Sequence, residues 1–116
     1  MTISEIRRLL KANPLTDHNL DERNAETACG ADLLSDVLVF TKEKTVLLTG
    51  LIHPQVIRTA EMLDLVGVVF VRGKEPSREI IDLAQAKDIP VLCTAYPMYE
   101  SCGILYKAGL GGAPLD

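Results

Sequence analysis

The sequence predicts a single α/β domain, three layers deep (α/β/α), built on a mainly parallel sheet. Three observations carry that prediction. From Thr45 onward the chain repeats one unit three times: apolar strand, polar turn, amphipathic helix. The run at residues 66–71 is apolar throughout and rich in valine, as expected of a strand covered on both faces. The connections are short, so each strand–helix–strand passage reads as a right-handed crossover between parallel strands.

Composition sets the outer limits. A chain of 116 residues is one ordinary domain, and it can hide roughly 65% of its extended-chain surface without a disulfide or metal staple. Hydrophobic residues make up 47%, which argues for a folded chain. The aromatic residues are Phe40, Phe70, Tyr96, Tyr99 and Tyr106, so the core must be aliphatic. A net charge of -4 without a basic run argues against a sequence-independent nucleic-acid binder. It leaves room for a local site that takes one nucleotide. No apolar run approaches the ~20 residues of a membrane span, and residues 1–8 lack a signal-peptide core, so a cytoplasmic location is expected. Cys29, Cys93 and Cys102 form no CxxC and read as reduced thiols.

In chain order, Thr2 or Ser4 caps a first helix that runs to about Ala12, with Ile3, Ile6, Leu9 and Leu10 on one stripe. Asn13-Pro14 ends it, because a residue before proline is pushed out of the α region. Residues 15–29 read as a loop with one or two short strands that complete a sheet edge, antiparallel being one option. A short edge strand is expected at 15–20, and 21–27 is charged and reads as exposed. Gly30 introduces the second helix, with Asp32 as candidate N-cap and Ser35 and Asp36 in the first turn, where negative charge suits the helix dipole. Leu33, Leu34, Val37 and Leu38 form its expected inner face.

Residues 45–49 are a continuous apolar strand. His53-Pro54 opens the next helix, with proline at the first helical position. After the strand at 66–71, residues 72–76 turn the chain and Ser77 caps a helix to about Lys87. Residues 91–93 form a short strand, 94–97 turn, and a last helix runs from about Met98 to Ala108, stopped by Gly109. The division expected is 1–29 for the N-terminal helix and edge, 30–108 for the α/β core, and 109–116 for a loose tail. The expected core comprises Leu34, Leu38, Leu47, Leu48, Ile57, Val68, Val69, Val71, Ile81, Leu92 and Leu105.

Five segments, in order and spacing, resemble the DRTGG domain family. They are Gly30-Ala31-Asp32-Leu33-Leu34-Ser35-Asp36-Val37-Leu38, Thr49-Gly50 followed by His53, Arg72-Gly73-Lys74-Glu75-Pro76, Ile89-Pro90-Val91-Leu92 with Thr94, and Leu105-Tyr106. The chain has no literal Asp-Arg-Thr-Gly-Gly string, so it resembles the short stand-alone branch. The resemblance implies a fold similar to the N-terminal domains of HPr kinase/phosphorylase and of Mur ligases. It implies relatives beside CBS domains in nucleotide-regulated pyrophosphatases, where the domain helps to make a dimer. Stand-alone copies accompany hydrogenase and redox genes of anaerobes. It implies no reaction, and the chain has no GxxxxGK[ST] phosphate loop.

Ligands of open α/β sheets bind beyond the carboxyl ends of the strands. Three such ends are readable: Thr49-Gly50 with His53, Arg72-Gly73-Lys74, and Thr94. Glycine lets backbone approach a ligand, helix N-termini offer N–H groups to an anion, and Arg72 and Lys74 add positive charge. The structural alternative is that the glycines turn the chain, the threonines cap helices and the cations are solvated. Asp32, Ser35 and Asp36 are candidate contacts for a partner or a metal, against a plain capping role. His53 is a candidate base or a helix cap. The three cysteines together with His53 are a remote metal set, and Cys93 and Cys102 pack more simply as small hydrophobes.

No nucleophile–base–orienter set, GxSxG or HExxH is present in the sequence. The leading reading is a non-enzymatic regulatory or interaction module that senses a small anionic ligand such as an adenine nucleotide, with no metal or other cofactor. Two alternatives stand beside it. One is a small enzyme, or a subunit that completes an active site with a partner. The other is a redox or metal-handling accessory protein linked to hydrogenase systems. A symmetric homodimer is expected, because a small chain with mean hydropathy +0.17 has little interior for its apolar groups.

Overall fold

The structure, a computed structural model, describes residues 1–114. Helix α1 (Ile3–Leu9) opens with a capping box: the Thr2 hydroxyl accepts from Glu5 N at 3.0 Å while the Glu5 carboxylate accepts from Thr2 N at 3.3 Å. Then follow β1 (Asn13–Pro14), a short 3-10 turn at Leu20–Glu22, β2 (Thr27–Gly30), α2 (Leu34–Phe40), β3 (Thr45–Thr49) and α3 (Pro54–Met62). The chain continues through β4 (Gly67–Phe70), α4 (Arg78–Ala86), β5 (Val91–Cys93) and α5 (Met98–Lys107).

The sheet has the order β1-β5-β4-β3-β2, with β1 antiparallel to β5 and every other pair parallel. Alternation along the strands separates two cores. Val46, Leu48, Val69, Val71 and Leu92 meet Ile3, Ile6 and Leu10 of the α1 segment and Leu105 of α5. Leu47, Val68, Phe70 and Val91 meet Val37, Val56, Ile57, Ala60, Ile80 and Ala84 from α2, α3 and α4. The three-layer α/β/α architecture is therefore present, with three helices on one face and two on the other.

Several elements depart from the sequence reading. The antiparallel edge strand is at Asn13–Pro14, before the expected stretch, and the first helix stops at Leu9. Residues 27–30 form the opposite edge and run parallel to β3, so Gly30 ends a strand and does not introduce a helix. A side chain at Gly30 would meet Cys102 Sγ at 2.6 Å, which is why α5 can pass so close there. Within the segment 21–27, Ala25 is buried. Helix α2 starts only at Leu34, its N-cap is Leu33, and Asp32 does not cap it.

Eight of the expected core residues are buried: Leu47, Leu48, Ile57, Val68, Val69, Val71, Leu92 and Leu105. Leu38 is not, being 51% exposed, and Leu34 and Ile81 are only half-buried. For the two α2 residues the cause is position: this seven-residue helix sits beside the edge strand β2, so Val37 alone is fully buried, Leu34 packs partly against that core, and Leu38 lies outside it. The tail is not loose where it is described. Gly111 O accepts from Ala28 N at 2.9 Å, and Leu110 is buried, so the chain straps the free edge of β2. Leu115 and Asp116 of the expected tail lie outside the described residues.

Candidate functional site

Parallel strands β2 to β5 place four chain segments on one carboxyl edge: Gly30 to Asp32, Thr49-Gly50, Arg72-Gly73-Lys74 and Thr94. Hydrogen bonds join the four into one seam. Asp32 Oδ1 accepts from Gly50 N at 2.7 Å and from the Thr49 hydroxyl at 3.2 Å. On the other side of the same residue, Arg72 Nη2 donates to Gly50 O at 3.2 Å. A carboxylate and a guanidinium thus hold the N–H and C=O of one buried glycine. A Cβ on Gly50 would run into that guanidinium, so the close approach requires glycine.

The β4 corner is a tight turn with two successive left-handed residues, Arg72 at φ 66° and Gly73 at φ 68°. For arginine this is a sparsely populated conformation that costs on the order of 1–3 kcal/mol unless its surroundings fix it. The surroundings do fix it. Arg72 N donates to Tyr96 O at 2.9 Å and Gly73 N donates to Thr94 O at 2.8 Å. Cys93 Sγ donates to Lys74 O at 3.1 Å. The Thr94 hydroxyl is buried; it donates to Leu10 O at 2.7 Å and accepts from Tyr96 N at 3.2 Å. Helices leave β4 and β5 toward opposite faces, and these bonds tie the two strand ends together where the connections diverge.

The donors expected to cradle an anion are therefore engaged inside the protein. Gly50 N goes to Asp32, Leu51 N to the Thr49 hydroxyl at 3.1 Å, and the β4 corner to the β5 loop. His53 Nδ1 accepts from Gln55 N at 3.0 Å, so His53 caps α3, and Ser77 caps α4. The polar groups that remain on offer are side chains: the exposed Arg72 guanidinium beyond its one bond to Gly50, exposed Lys74, and the outer oxygen of Asp32. Beside Thr94 lies an apolar recess of about 180 Å³, lined by Leu10, Lys11, Thr94, Ala95, Tyr96 and Pro97. It adjoins the Arg72-Gly73 turn through the two backbone bonds already described.

Of the sequence candidates, Thr49, Gly50, Arg72, Gly73, Lys74 and Thr94 converge on this seam, and Asp32 joins them in a role its sequence context did not indicate. Ser35 and Asp36 do not; they lie exposed on α2. Among the described residues no three His, Cys, Asp or Glu side chains converge as a metal site. Burial pushes all three thiols up, so they stay protonated near neutrality and are poor nucleophiles. No helix among the described residues is long and apolar enough to cross a membrane.

A second polar cluster sits at the opposite end of the sheet. His18 has a nearly covered side chain (3%), with Nδ1 2.9 Å from the Thr16 hydroxyl and Nε2 3.2 Å from Asp88 Oδ1 at a poor hydrogen-bonding angle. Arg23 donates to Asp88 at 2.7 Å. Burial and the Arg23 charge lower the His18 pKa, and Asp88 and Asp17 offset only part of that.

A family model described as the DRTGG domain matches residues 5–108. One similar solved structure is from Clostridium perfringens: the CBS and DRTGG domains of the regulatory region of a pyrophosphatase, in complex with its activator, diadenosine tetraphosphate. It superposes with a TM-score of 0.69 at 18% sequence identity, covering 90% of this chain and 45% of that one. The chain thus spans less than half of that chain's length, and the likeness is one of fold. No curated protein matches the sequence.

Proposed function

The chain belongs to the DRTGG domain family, and from that premise we propose that it is a regulatory module that senses a small anionic ligand at its carboxyl edge. Adenine nucleotides are the first class. The observation that carries the reading is Arg72: a strained residue, pinned in place, whose guanidinium is held over the sheet edge by a single bond to Gly50 O. A phosphate meets Arg72 and Lys74 there, and the neighbouring recess of about 180 Å³ offers an apolar wall to a ring. Support also comes from the pyrophosphatase regulatory region, whose activator is a dinucleoside tetraphosphate. The module carries out no reaction in this reading, and it works as a homodimer in the cytoplasm. Burial of the thiols weighs against the redox alternative.

Thermal-shift measurements with ATP, AMP, diadenosine tetraphosphate and inorganic phosphate test the ligand. A hundredfold excess over Kd stabilises the protein by about 2.7 kcal/mol. Arg72→Ala and Lys74→Ala, both at exposed positions, are expected to lose most of the shift without loss of fold. If no nucleotide shifts the wild type, the nucleotide reading fails. If one binds and both variants respond like the wild type, the site lies elsewhere.

A further inference from the structure

Asp32 and Arg72 bracket a single glycine without pairing with each other. Asp32 Oδ1 is fixed by Gly50 N and the Thr49 hydroxyl, which leaves the outer oxygen, Oδ2, of this exposed residue without a partner among the described residues. The Arg72 guanidinium donates to the carbonyl of the same glycine. A Cβ on that glycine would lie 2.8 Å from Arg72 Cζ, so the guanidinium covers its Cα. Neither charged group belongs to an ion pair among the described residues. A cation and a carboxylate therefore stand beside each other on the carboxyl edge, each tied to the backbone and each with hydrogen-bonding capacity left.

Strand order arranges the rest of the edge. Passing from β5 to β2, it presents the apolar recess beside Thr94, then the Arg72 and Lys74 cations at the end of β4, then Gly50 under the guanidinium, then the Asp32 carboxylate. Neighbouring strands are about 4.8 Å apart, so the series spans about 14 Å. Its order suits a ring, then an anion, then a hydrogen-bond donor. A nucleotide whose ring enters the recess and whose phosphates meet the cations points the far end of its phosphate chain at Asp32. A free terminal phosphate there meets a like charge. A hydroxyl there donates to the carboxylate in a charge-assisted bond.

We propose that the ligand of this edge is a nucleoside diphosphate ester, with its phosphates internal and a hydroxylated group such as a sugar beyond them, and that Asp32 is the residue that selects it. This rests on the anionic-ligand reading above and names the class within it. Asp32 discriminates in two ways. Its charge disfavours a ligand that ends in phosphate, and its outer oxygen favours one that ends in a hydroxyl. Because Oδ1 is already tied to Gly50 N and the Thr49 hydroxyl, the carboxylate does not have to be ordered when the ligand arrives.

Isothermal titration calorimetry on the full chain near neutral pH compares ADP, its β-methyl ester and ADP-ribose. ADP-ribose is expected to bind about tenfold tighter than ADP. The methyl ester has the charge of ADP-ribose but no hydroxyl beyond the phosphates, and it is expected to fall between the two. Asp32→Asn keeps an oxygen on Gly50 N and turns an amide N–H outward in place of the acceptor. With its fold confirmed by urea unfolding, that variant is expected to bring ADP and ADP-ribose within about threefold of each other. Arg72→Ala is expected to weaken both alike. An ester as tight as ADP-ribose shows that charge alone decides and overturns the role of the acceptor. Equal affinities for ADP and ADP-ribose in the wild type, or a preference that Asp32→Asn leaves intact, overturn the proposal while the anionic-ligand reading stands. If none of the three ligands binds, the nucleotide reading fails and the proposal fails with it.

Discussion

Replacing Asp32 by alanine isolates what holds the carboxyl edge together. Asp32 Oδ1 takes two donors, Gly50 N at 2.7 Å and the Thr49 hydroxyl at 3.2 Å, and both of those residues are buried. A buried donor left without its partner costs about 1–3 kcal/mol, and bonds to a charged acceptor are at the upper end. Two donors are orphaned here, but Asp32 itself is exposed, so water can follow the truncated side chain and recover part of the loss. The expected cost is about 1.5–3 kcal/mol. Asp32→Asn keeps an acceptor oxygen in the same place and is expected to retain more than half of the difference. Urea unfolding at pH 7 measures both. An alanine variant within half a kilocalorie of wild type, or an asparagine variant no better than alanine, would refute the account of the seam. The same variant tests a link to function. With Gly50 released, Arg72 loses its fixed anchor, and nucleotide-induced stabilisation falls along with stability.

Leu48→Ala removes a fully buried side chain from the interior strand β3 and is expected to cost about 2–5 kcal/mol in urea unfolding; a loss below half a kilocalorie would show that Leu48 does not pack in the core. His18 gives a pH dependence. Its folded pKa lies below the unfolded value of 6.5, because of burial first and Arg23 second, so the unfolded chain binds the extra proton. Stability is therefore full above pH 6.5 and declines as the pH falls below it. The urea midpoint is expected to drop between pH 7.5 and 5.5, and His18→Gln to flatten that drop; an unchanged wild-type midpoint would contradict it.

Legibility in the sequence followed the physics of each element. β3, β4, β5 and the helices between them announce themselves through apolar runs, proline and serine caps, and helical spacing of Val56, Ile57, Ala60, Ile80 and Ala84. β2 does not, because Thr27-Ala28-Cys29-Gly30 lacks both bulk and alternation, and its strand character comes from pairing with β3. β1 is two residues long and is fixed entirely by β5. Asp32 reads as a cap because aspartate before an apolar helix usually is one; only the fold brings Gly50 N within its reach. Leu38 follows helical spacing correctly, yet spacing cannot reveal that the sheet ends beneath it. Thr49, Gly50, Arg72, Gly73, Lys74 and Thr94 lie together because parallel strands force their carboxyl ends onto one edge. That most of their backbone donors are already engaged depends on loop–loop bonds such as Gly73 N to Thr94 O, which join residues far apart in sequence.

The order of the strands also bears on how the protein is made. Strands β2, β3, β4 and β5 are laid down in the sequence in which they pair, so each emerging strand finds its neighbour already synthesised. The face under α2, α3 and α4 can close as the ribosome proceeds. The other face cannot. Ile3, Ile6 and Leu10 are synthesised well before Leu105 and Leu110, which pack beside them. Until then α1 alone is available to cover that side of the growing sheet. A pause or truncation before α5 would therefore release a half-clad sheet with an exposed valine and leucine surface, a species suited to chaperones and prone to aggregate.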